Sequence, residues 1–598
     1  MPSPLRIVNP PASRVLGGAL LLSLSSACSR PAMAPMAPMA GKRAEGARGM
    51  VAASHPDAAA AGAEALRLGG NAIDGYVATA FALSVTDVSQ TGLGGGGAMT
   101  FYDAKSRRLE HLSFYPRTGE DPAWGQADTA RGRRPGRAAA TPGMVAGLLE
   151  AHGEWGRLTR SQVMAPAIRL ARDGFIVSPL LARTIAASRD KLQADSLAAI
   201  RFYPGGQGLR PGDRLVQPEL AATLERIRDG GREAFYTGPI AERLSAKVRA
   251  LGGLVTVKDL ATYPVASMRP LCTTWRGYTV IGAPPPMGGS SVLQMLQMAD
   301  ASGVADAGGF TGNGDAITRM ADILRLGGAD ANRWRGDPFV QRVPARGVSH
   351  PGFARQRATL VNGPLTDSTV AGDAWAFDTA SGPAACERYS PYAAVAAQSS
   401  APPAGTDSNE MTDPSDAAEG TSFTSHLAVV DAAGNAVSAT TTVGVLFGSG
   451  VYTDGFFLSS SGSNFDARTR GTNRYANSTM SPTLILQGDR VRLVIGAAGS
   501  QYIQPAITQV TLRMLAFGED PYLAIAGPRI YAAANQRDVE VEPGFASGVY
   551  QALVQRGYKP VSRVADITFG GVHAVYVSPK GRAIGVADPR RDGVAVSP

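Results

Sequence analysis

Apolar and polar positions follow two different periods along this chain. Up to about Cys386, amphipathic helical stretches alternate with short apolar segments, and the clearest predicted helices, at residues 58–68 and 161–172, each end close to a glycine. Beyond residue 424 the pattern changes to short β-rich runs, which favours a mixed α/β fold. A hairpin-type turn joins the first two predicted strands, and the strands lie at residues 425–431, 436–443, 484–486, 491–495, 574–577 and 583–586.

Two segments show no such periodicity, and the first is the N-terminus. Two arginines precede an apolar run at residues 15–22, which is too short to span a bilayer and predicts an export signal over residues 1–28. The small residue before Cys28 resembles a lipoprotein cleavage box, so lipidation of Cys28 and plain signal cleavage both stay open. Either alternative predicts an exported protein, periplasmic or lipid-anchored to the bacterial envelope. Residues 29–48 repeat Pro, Ala and Met and are interpreted as a flexible tether.

The second such segment is a linker at residues 386–420. It is rich in Ala, Ser, Pro, Asp, Glu and Thr and lacks apolar periodicity. Because an exported chain meets an oxidising compartment, Cys272 and Cys386 either pair as a disulfide or remain two thiols. The linker leads directly into the β-rich region, so a polar surface segment ends where a predicted core strand begins.

Composition and charge narrow the function classes. The formal charge of +9 comes from scattered basic residues rather than from a patch with interleaved aromatics, which argues against nucleic acid as a partner. The six histidines have no metal-ligand spacing, so neither a metal nor another cofactor is predicted. The glycine run at residues 92–97 is not followed by Lys-Ser or Lys-Thr, and tight backbone packing is a better interpretation than a phosphate loop. The predicted chemistry therefore rests on the chain's own side chains.

The strongest chemical signal lies where the linker meets the first predicted strand. Residues 421–426 read Thr-Ser-Phe-Thr-Ser-His, and an apolar run, Asp431 and a Gly434-Asn435 turn follow. This segment resembles the start of the small subunit of γ-glutamyltranspeptidases. Further motifs between residue 49 and the C-terminus resemble that family in the same order, at residues 49–53, 69–74, 92–97, 141–143, 171–175, 284–286, 480–483, 496–500 and 587–590.

The resemblance implies a fold and a way of maturing. The fold is the four-layer αββα sandwich of N-terminal-nucleophile hydrolases, in the α/β (α+β) class. Residues 49–423 then form the large subunit and residues 424–598 the small catalytic subunit, two pieces of one precursor in a single intertwined unit. Self-cleavage between Phe423 and Thr424 frees the α-amine of Thr424. That amine, with a pKa of about 7.7 in model peptides, is the base that a weakly nucleophilic threonine hydroxyl needs.

The same resemblance implies supporting roles in catalysis. Thr442, at the end of the second predicted strand, matches a threonine that hydrogen-bonds the nucleophile's hydroxyl; the alternative is an ordinary β-branched strand residue. Gly499 and Ser500 match the turn whose backbone N–H groups form an oxyanion hole. Ser425 either bonds the α-amine or fills the turn. His426 either orients the site or is a strand histidine satisfied by the backbone.

Substrate specificity is where the chain departs from the family pattern. The arginine that binds the γ-glutamyl α-carboxylate is matched by Arg117, displaced by two places, whereas Ser478 and Thr479 match the paired hydroxyls that hold the same carboxylate. In the α-amino site Asn464 stands in place of the family's aspartate and Ser461 in place of a glutamine. Loss of the aspartate removes the charge that would pair with an ammonium group, and Asp466, after a small shift, is the alternative partner for that group.

Three functions therefore stay open. The first is γ-glutamyl transfer or hydrolysis, acting on glutathione and γ-glutamyl amides with water, amines or peptides as acceptors. The second is a related acylase or amidase whose acyl group lacks the α-amine, of the glutaryl or cephalosporin-acylase type. Asn464, and Gly444 in place of a strand asparagine, motivate this second function. The third is a processed, inactive binding protein that keeps the fold.

Overall fold

The computed structural model describes residues 38–126, 134–378, 386, 388–389, 423–465 and 470–598. The predicted export signal, Cys28, Asp466 and most of the predicted tether and linker lie outside these residues. From Pro38 onward the chain forms one unit. Within the described part of the chain, no helix is both long and apolar enough to cross a membrane.

The strands and helices are numbered in chain order. The strands are β1 (Arg43–Gly46), β2 (Gly49–Ala53), β3 (Gly96–Asp103), β4 (Arg108–Phe114), β5 (Phe175–Ile176), β6 (Arg214–Leu215), β7 (Ala266–Met268), β8 (Leu271–Trp275), β9 (Tyr278–Gly282), β10 (Phe423–Asp431), β11 (Ala436–Gly444), β12 (Tyr452–Thr453), β13 (Phe456–Phe457), β14 (Thr483–Gln487), β15 (Arg490–Ala498), β16 (Ile530–Ala532), β17 (Asp538–Val541), β18 (Lys559–Ser562), β19 (Gly571–Val577), β20 (Ala583–Ala587) and β21 (Val594–Val596). The α-helices are α1 (Pro56–Arg67), α2 (Ala72–Thr86), α3 (Pro135–Ala138), α4 (Met144–Trp155), α5 (Arg160–Asp173), α6 (Pro179–Ala187), α7 (Arg189–Gln193), α8 (Ser196–Phe202), α9 (Pro218–Tyr236), α10 (Gly238–Ala250), α11 (Val257–Ala261), α12 (Gly289–Ala301), α13 (Gly314–Trp334), α14 (Ala345–Val348), α15 (Pro351–Ala358), α16 (Ile503–Thr511), α17 (Pro521–Ala526) and α18 (Ser547–Arg556).

Two seven-stranded antiparallel sheets form the middle of the fold. The first sheet has the order β21-β2-β10-β11-β3-β4-β7, and the second has the order β1-β20-β19-β15-β14-β9-β8. The sheets stack face to face, with β10 and β11 of the first over β15 of the second. Helices α1, α2 and α4 cover the outer face of the first sheet, and α12, α16 and α17 cover the outer face of the second. This arrangement confirms the predicted αββα sandwich.

Burial is complete at the boundaries between these layers. Every residue of α2 is buried, because the helix lies between the first sheet and an outer layer that includes α5. Between the sheets the inner faces carry small residues such as Ala52 and Ala428. A Cβ added at Gly496 on β15 would lie 2.2 Å from the ring of His426 on β10. Small side chains thus let the two sheets approach closely where β10 and β15 face each other.

The turn of the β10–β11 hairpin sets the register at the centre of the first sheet. One Asp431 oxygen accepts hydrogen bonds from the backbone N–H groups of Ala433 and Asn435, and Gly434 has a φ of 86°, which favours glycine. The other Asp431 oxygen accepts from the Asn435 side chain and from the N–H of Ala72, at the start of α2. The turn therefore also joins the hairpin to α2.

The structure confirms the predicted helices and strands, with ends shifted by a few residues. One prediction was wrong: part of the supposed tether, Arg43–Gly46, is strand β1. Its backbone groups pair with the free edge of β20, and edge pairing uses main-chain groups that composition does not reveal. Both sheets contain strands from both sides of the Phe423–Thr424 bond.

Cys272, on β8, and Cys386 form a disulfide, with their Cα atoms 6.0 Å apart. Of the two alternatives left open by the sequence, the structure therefore shows pairing. Nearby in the chain, Tyr389 is buried, packs edge-on against the ring of Tyr102 and donates from its hydroxyl to the Gly488 carbonyl. The beginning of the predicted linker is thus held against the sandwich.

Breaking this disulfide should destabilise the fold. It joins residues 114 positions apart, and a cross-link that closes a loop of this length contributes about 3–5 kcal/mol in the chain-entropy model. We expect the double variant Cys272→Ser/Cys386→Ser to unfold several degrees lower than the wild type in calorimetry. A reducing agent should lower the wild-type midpoint and leave that of the double variant unchanged. A wild-type midpoint that ignores the reducing agent would contradict this expectation.

Candidate active site

The Phe423–Thr424 bond lies at the start of β10, a central strand that is buried along its whole length. Phe423 pairs with Gly444 and Ser425 pairs with Thr441, so Thr424 falls at a register shift of the β-bulge type. A bulge turns the side chain that it carries and interrupts the local ladder. Thr424 itself is 3% exposed. The predicted nucleophile is therefore held inside the fold at an irregular position of its strand.

The hydroxyl of Thr442, on β11, donates a hydrogen bond of 2.5 Å to the carbonyl oxygen of Phe423. It accepts another, of 2.7 Å, from the N–H of Gly444. The resemblance predicts a contact with the Thr424 hydroxyl in the cut enzyme; in the uncut chain the Thr442 proton is directed at the neighbouring carbonyl, and the contact in the cut enzyme stays a prediction. The donor polarises the carbonyl that an attacking hydroxyl would have to reach.

Behind Thr424 lies a buried polar network that the sequence analysis did not find. The Ser425 hydroxyl donates to Asp87 Oδ2, and Gln90 Nε2 donates to Asp87 Oδ1 over 2.7 Å. Arg591 donates to the side-chain oxygen of Gln90 and, over 3.1 Å, to the carbonyl oxygen of Thr424. Burial raises the pKa of Asp87 to about 7. The network connects the end of α2 and the C-terminal segment to the backbone of the predicted nucleophile.

The predicted oxyanion turn follows β15, which faces β10 across the two sheets. The φ angles are 125° at Gly499 and 53° at Ser500, and the second lies in the left-handed region that side chains seldom adopt. A Cβ at Gly499 would lie 3.0 Å from the backbone of residues 568–570. Arg591 donates to the neighbouring Ile567 carbonyl over 2.7 Å. The turn therefore lies against residues 568–570, and Arg591 links the start of β10 to the neighbouring Ile567.

Tyr115 is the centre of a small polar cluster, the Tyr115 cluster, formed with Ser461, Asn464 and Ser478. Asn464 Nδ2 donates to its hydroxyl over 3.3 Å, and the hydroxyls of Ser461 and Ser478 are further hydrogen-bond partners. Burial raises the pKa of Tyr115, so the phenol keeps its proton at neutral pH. The structure thus gathers three of the five predicted substrate-binding residues around a neutral residue that the sequence analysis missed.

The Tyr115 cluster is connected to the predicted cleavage point through Gly444. This residue pairs with Phe423 and has a φ of 92°, which favours glycine. A Cβ there would lie 2.2 Å from the Ser460 hydroxyl oxygen, which accepts the N–H of Val445. Ser460 directly precedes Ser461 of the Tyr115 cluster. At position 444 the family has an asparagine side chain, and in this chain the Ser460 hydroxyl lies beside the glycine at that position.

The two other predicted substrate residues, Arg117 and Thr479, are placed differently. Arg117 Nε donates to the Asn473 carbonyl over 3.1 Å, and its guanidinium lies 5.5 Å from the centre of the Tyr475 ring. Thr479 follows Ser478 and is partly exposed. Arg117 is thus held by residues 473–475, and it lies two residues after Tyr115 in the sequence.

His426 contacts the strand next to it. Its Nδ1 is hydrogen-bonded to Thr440 Oγ1 over 2.8 Å, and its ring lies against Gly496. Burial lowers its pKa to about 3, so the ring is neutral at physiological pH. The geometry favours the interpretation of His426 as a structural residue of its strand over that of a residue that orients the site. The partner of its ring is the Thr440 hydroxyl rather than a backbone group.

Comparison with known families places these observations in context. A model of the family described as Gamma-glutamyltranspeptidase matches residues 58–597. The chain belongs to the γ-glutamyltranspeptidase family. The glutathione hydrolase proenzyme of Bacillus subtilis strain 168, a relative, is 32% identical over 92% of each chain. The Acylase ACY 1 proenzyme of Pseudomonas sp. strain SE83 is also 32% identical, over 93% of this chain and 94% of its own.

A solved structure has the same fold. The crystal structure of cephalosporin acylase from Bacillus halodurans superimposes with a TM-score of 0.76 at 24% identity, covering 95% of this chain and 99% of that one. At this level of identity the likeness concerns the fold alone. Both sequence relatives are named as proenzymes, which implies that each is cut from a precursor.

Asp87 and Tyr115 each lie beside a motif that the sequence analysis recognised. Tyr115 stands two places before Arg117, but the expectation of a charged carboxylate ligand directed attention to the arginine. Asp87 ends the long apolar run of α2 and precedes the glycine run. An acidic residue at the end of a long, mostly apolar helix was the available signal, because carboxyl groups with perturbed pKa values cluster at functional sites.

Removing the Thr442 hydroxyl should slow self-cleavage of the chain at Phe423–Thr424. Thr442→Val keeps the side-chain shape but removes the donor to the Phe423 carbonyl, and loss of one such donor costs about 100- to 1000-fold in rate. The measurement is the disappearance of the uncut chain over time on denaturing gels. Thr441→Val is the control, because Thr441 lies on the opposite face of β11 and bonds Thr91. Equal rates for the two variants would rule out the polarising role.

Proposed function

We propose that this chain is a self-processing amide hydrolase in which Thr424 becomes N-terminal and forms an acyl-enzyme. We further propose that its acyl group is of the glutaryl type, with a carboxylate and no α-amine. Membership of the γ-glutamyltranspeptidase family supports the reaction class. The hydrogen bond from Thr442 to the Phe423 carbonyl supports self-processing, and the neutral Tyr115 cluster carries the choice of acyl group.

Maturation begins with attack by the Thr424 hydroxyl on the carbonyl carbon of Phe423. The C–N bond breaks and the Phe423 acyl group moves to the threonine oxygen as an ester. Water hydrolyses the ester, leaving a carboxylate on Phe423 and a free α-amine on Thr424. Thr442 donates to the oxygen that becomes negative. Once Phe423 has left, the Thr442 hydroxyl is free to bond the Thr424 hydroxyl, as the family resemblance implies.

In the cleaved enzyme the Thr424 α-amine takes the proton of its own hydroxyl as that hydroxyl attacks the substrate amide. The N–H groups of Gly499 and Ser500 stabilise the resulting oxyanion. The amine of the substrate leaves with a proton, and water then hydrolyses the acyl-enzyme. The positive φ angles of both turn residues support this role, because they set the direction of consecutive N–H groups at the end of β15.

The charges around Tyr115 favour an acyl group without an ammonium. A γ-glutamyl group carries an ammonium beside its α-carboxylate, and a buried ammonium needs an opposite charge. The partners of Tyr115 are Ser461, Asn464 and Ser478, all of them neutral. Hydroxyl and amide N–H donors suit a carboxylate but supply no negative charge to an ammonium. A glutaryl group therefore fits this cluster better than a γ-glutamyl group.

Hydrolysis of γ-glutamyl amides is the second candidate, and the relative named glutathione hydrolase, which belongs to the same family, favours it. Arg117, two residues after Tyr115 in the sequence, is suited to binding a carboxylate, which both candidate acyl groups carry. This candidate lacks a partner for the ammonium among the residues that contact Tyr115.

We also propose that the chain works outside the cytoplasm. The Cys272–Cys386 disulfide supports this localisation, because disulfides persist in oxidising compartments and are rare in the cytosol. The predicted export signal at residues 1–28 supports it independently.

Mass spectrometry of the purified protein tests the proposed maturation. The wild type should yield a fragment that begins at Thr424, whereas Thr424→Ala should remain a single chain because its side chain lacks a nucleophile. Thr424→Ser is the matched control and should still be cut, since it keeps a hydroxyl. An uncut wild-type protein that hydrolyses amides would refute the N-terminal nucleophile.

A pair of anilides tests the acyl group. We expect kcat/KM for glutaryl p-nitroanilide to exceed that for γ-glutamyl p-nitroanilide by at least about 10-fold, the scale of one hydrogen bond to a charged group. Tyr115→Phe should lower kcat/KM for the glutaryl substrate about 10-fold, mainly through KM. Tyr102→Phe is the control, because its hydroxyl donates to the Asp489 carbonyl.

The opposite preference between the anilides would refute the glutaryl assignment and support the γ-glutamyl candidate. Activity toward neither substrate, in a protein that is correctly cut at Thr424, would instead favour the inactive binding protein.

A further inference from the structure

The hydrogen bonds around Asp87 all run in one direction. Both carboxylate oxygens accept, one from the Ser425 hydroxyl and the other from the Gln90 amide. Because Gln90 uses an N–H group on Asp87, its side-chain oxygen is turned to Arg591, which donates to it. Arg591 in turn donates to the carbonyl oxygen of Thr424. With Asp87 ionised, both of its oxygens accept and this order of donors and acceptors is complete, whereas a protonated carboxyl would donate from one oxygen and reverse the bond to Ser425.

The same order fixes the role of the Ser425 hydroxyl. A serine hydroxyl has one proton, and here it goes to Asp87. Any further hydrogen bond to this oxygen must therefore be one that it accepts. Ser425 directly follows Thr424, whose nitrogen becomes an α-amine if the chain is cut as proposed.

We propose that Asp87 is a positioning residue for the nucleophile: its carboxylate keeps Ser425 an acceptor for the groups of Thr424 and, through Gln90, holds Arg591 on the Thr424 carbonyl. This inference rests on the proposed role of Thr424. It assigns Asp87 no contact with the substrate. It differs from the role of the Tyr115 cluster, because it concerns the nucleophile's own backbone and applies to any acyl group.

The place of Asp87 in the fold is costly for a carboxylate. The residue follows the last turn of α2, where the helix dipole disfavours negative charge, and it is 8% exposed. Arg591 faces it and lowers its pKa, whereas Asp592 raises it, and Lys42 donates to the carbonyl of Arg591 behind them. Burial outweighs these charges and brings the pKa of Asp87 to about 7. His426, next to Ser425, is neutral and hydrogen-bonded to β11. The carboxyl therefore changes its charge near neutral pH.

Self-cleavage reports on Asp87 without a contribution from the Thr424 α-amine, because in the uncut chain the nitrogen of Thr424 is an amide and does not titrate. In freshly translated full-length chain, we expect the wild-type cleavage rate to rise with pH through about 7, as Asp87 loses its proton. Asp87→Asn should be cut about 10- to 100-fold more slowly at pH 8 and should not show this rise with pH. The variant replaces the hydrogen bond from Ser425 to a charged carboxylate with a bond to a neutral amide, which can donate as well as accept. Time-resolved gels at several pH values measure both quantities.

Asp330→Asn is the matched control. Asp330, on α13, is also buried and also accepts from a glutamine, Gln294, and an arginine, Arg357. Its replacement should leave the rate and the pH profile of cleavage as in the wild type. Ser425→Ala and Ser425→Thr form a second pair: alanine should slow cleavage, and threonine, which keeps the hydroxyl, should restore both the rate and the pH profile. This pair tests the inference even where Asp87→Asn does not fold.

The possible outcomes separate the two proposals. If Asp87→Asn folds and is cut at the wild-type rate with the wild-type pH profile, the role of Asp87 is overturned while Thr424 keeps its own. If Ser425→Ala behaves like Ser425→Thr, the link through Ser425 is overturned in the same way. If Thr424→Ala is still cut, the proposed function itself fails.

Discussion

Strand β10 is the element on which the rest of the site depends. From Leu427 onward it is hydrogen-bonded on both sides, to β2 and to β11, and its inner face lies against β15. The chain is therefore paired on both sides from three residues beyond Thr424, and the bulge at Thr424 departs from the ladder. The end of α2 and Arg591 bond the start of this strand directly, and the turn after β15 contacts the segment that Arg591 also bonds. A cut at its first residues leaves those contacts in place.

Two polar groups near Thr424 differ in character. Tyr115, Ser461, Asn464 and Ser478 are neutral, and we propose that they hold the acyl group. Asp87 and Arg591 are ionisable; Asp87 accepts from Ser425, and Arg591 donates to the Thr424 carbonyl. Chemistry that is common to every substrate can thus reside in one group while specificity resides in the other. This division is consistent with a glutathione hydrolase and an acylase being equally similar to this chain, at 32% identity.

Much of the fold could be predicted from the sequence, because its signals are local. The β10–β11 hairpin follows from alternating apolar runs and from turn residues, Asp431, Gly434 and Asn435, that bond within the turn. Tyr115 and Asp87 could not be assigned in this way. Asp87 meets Ser425 across 338 residues of chain, and Tyr115 meets Asn464 across 349. Their roles exist only after folding. The contact of Thr442 with the Phe423 carbonyl was not predicted for a related reason, since the family pattern refers to the cut chain and the structure is that of the uncut one.

Both sheets contain strands from either side of the Phe423–Thr424 bond, and this has a consequence for the life of the mature protein. Before the cut, folding is a reaction within one chain and does not depend on concentration. After the proposed cut, the two pieces share both sheets and cannot separate without exposing the core between them. Refolding from the separated pieces then becomes an encounter between two molecules, which dilution strongly disfavours. The native arrangement would thus be reached once, in the precursor, and afterwards be preserved by slow unfolding rather than by repeated folding.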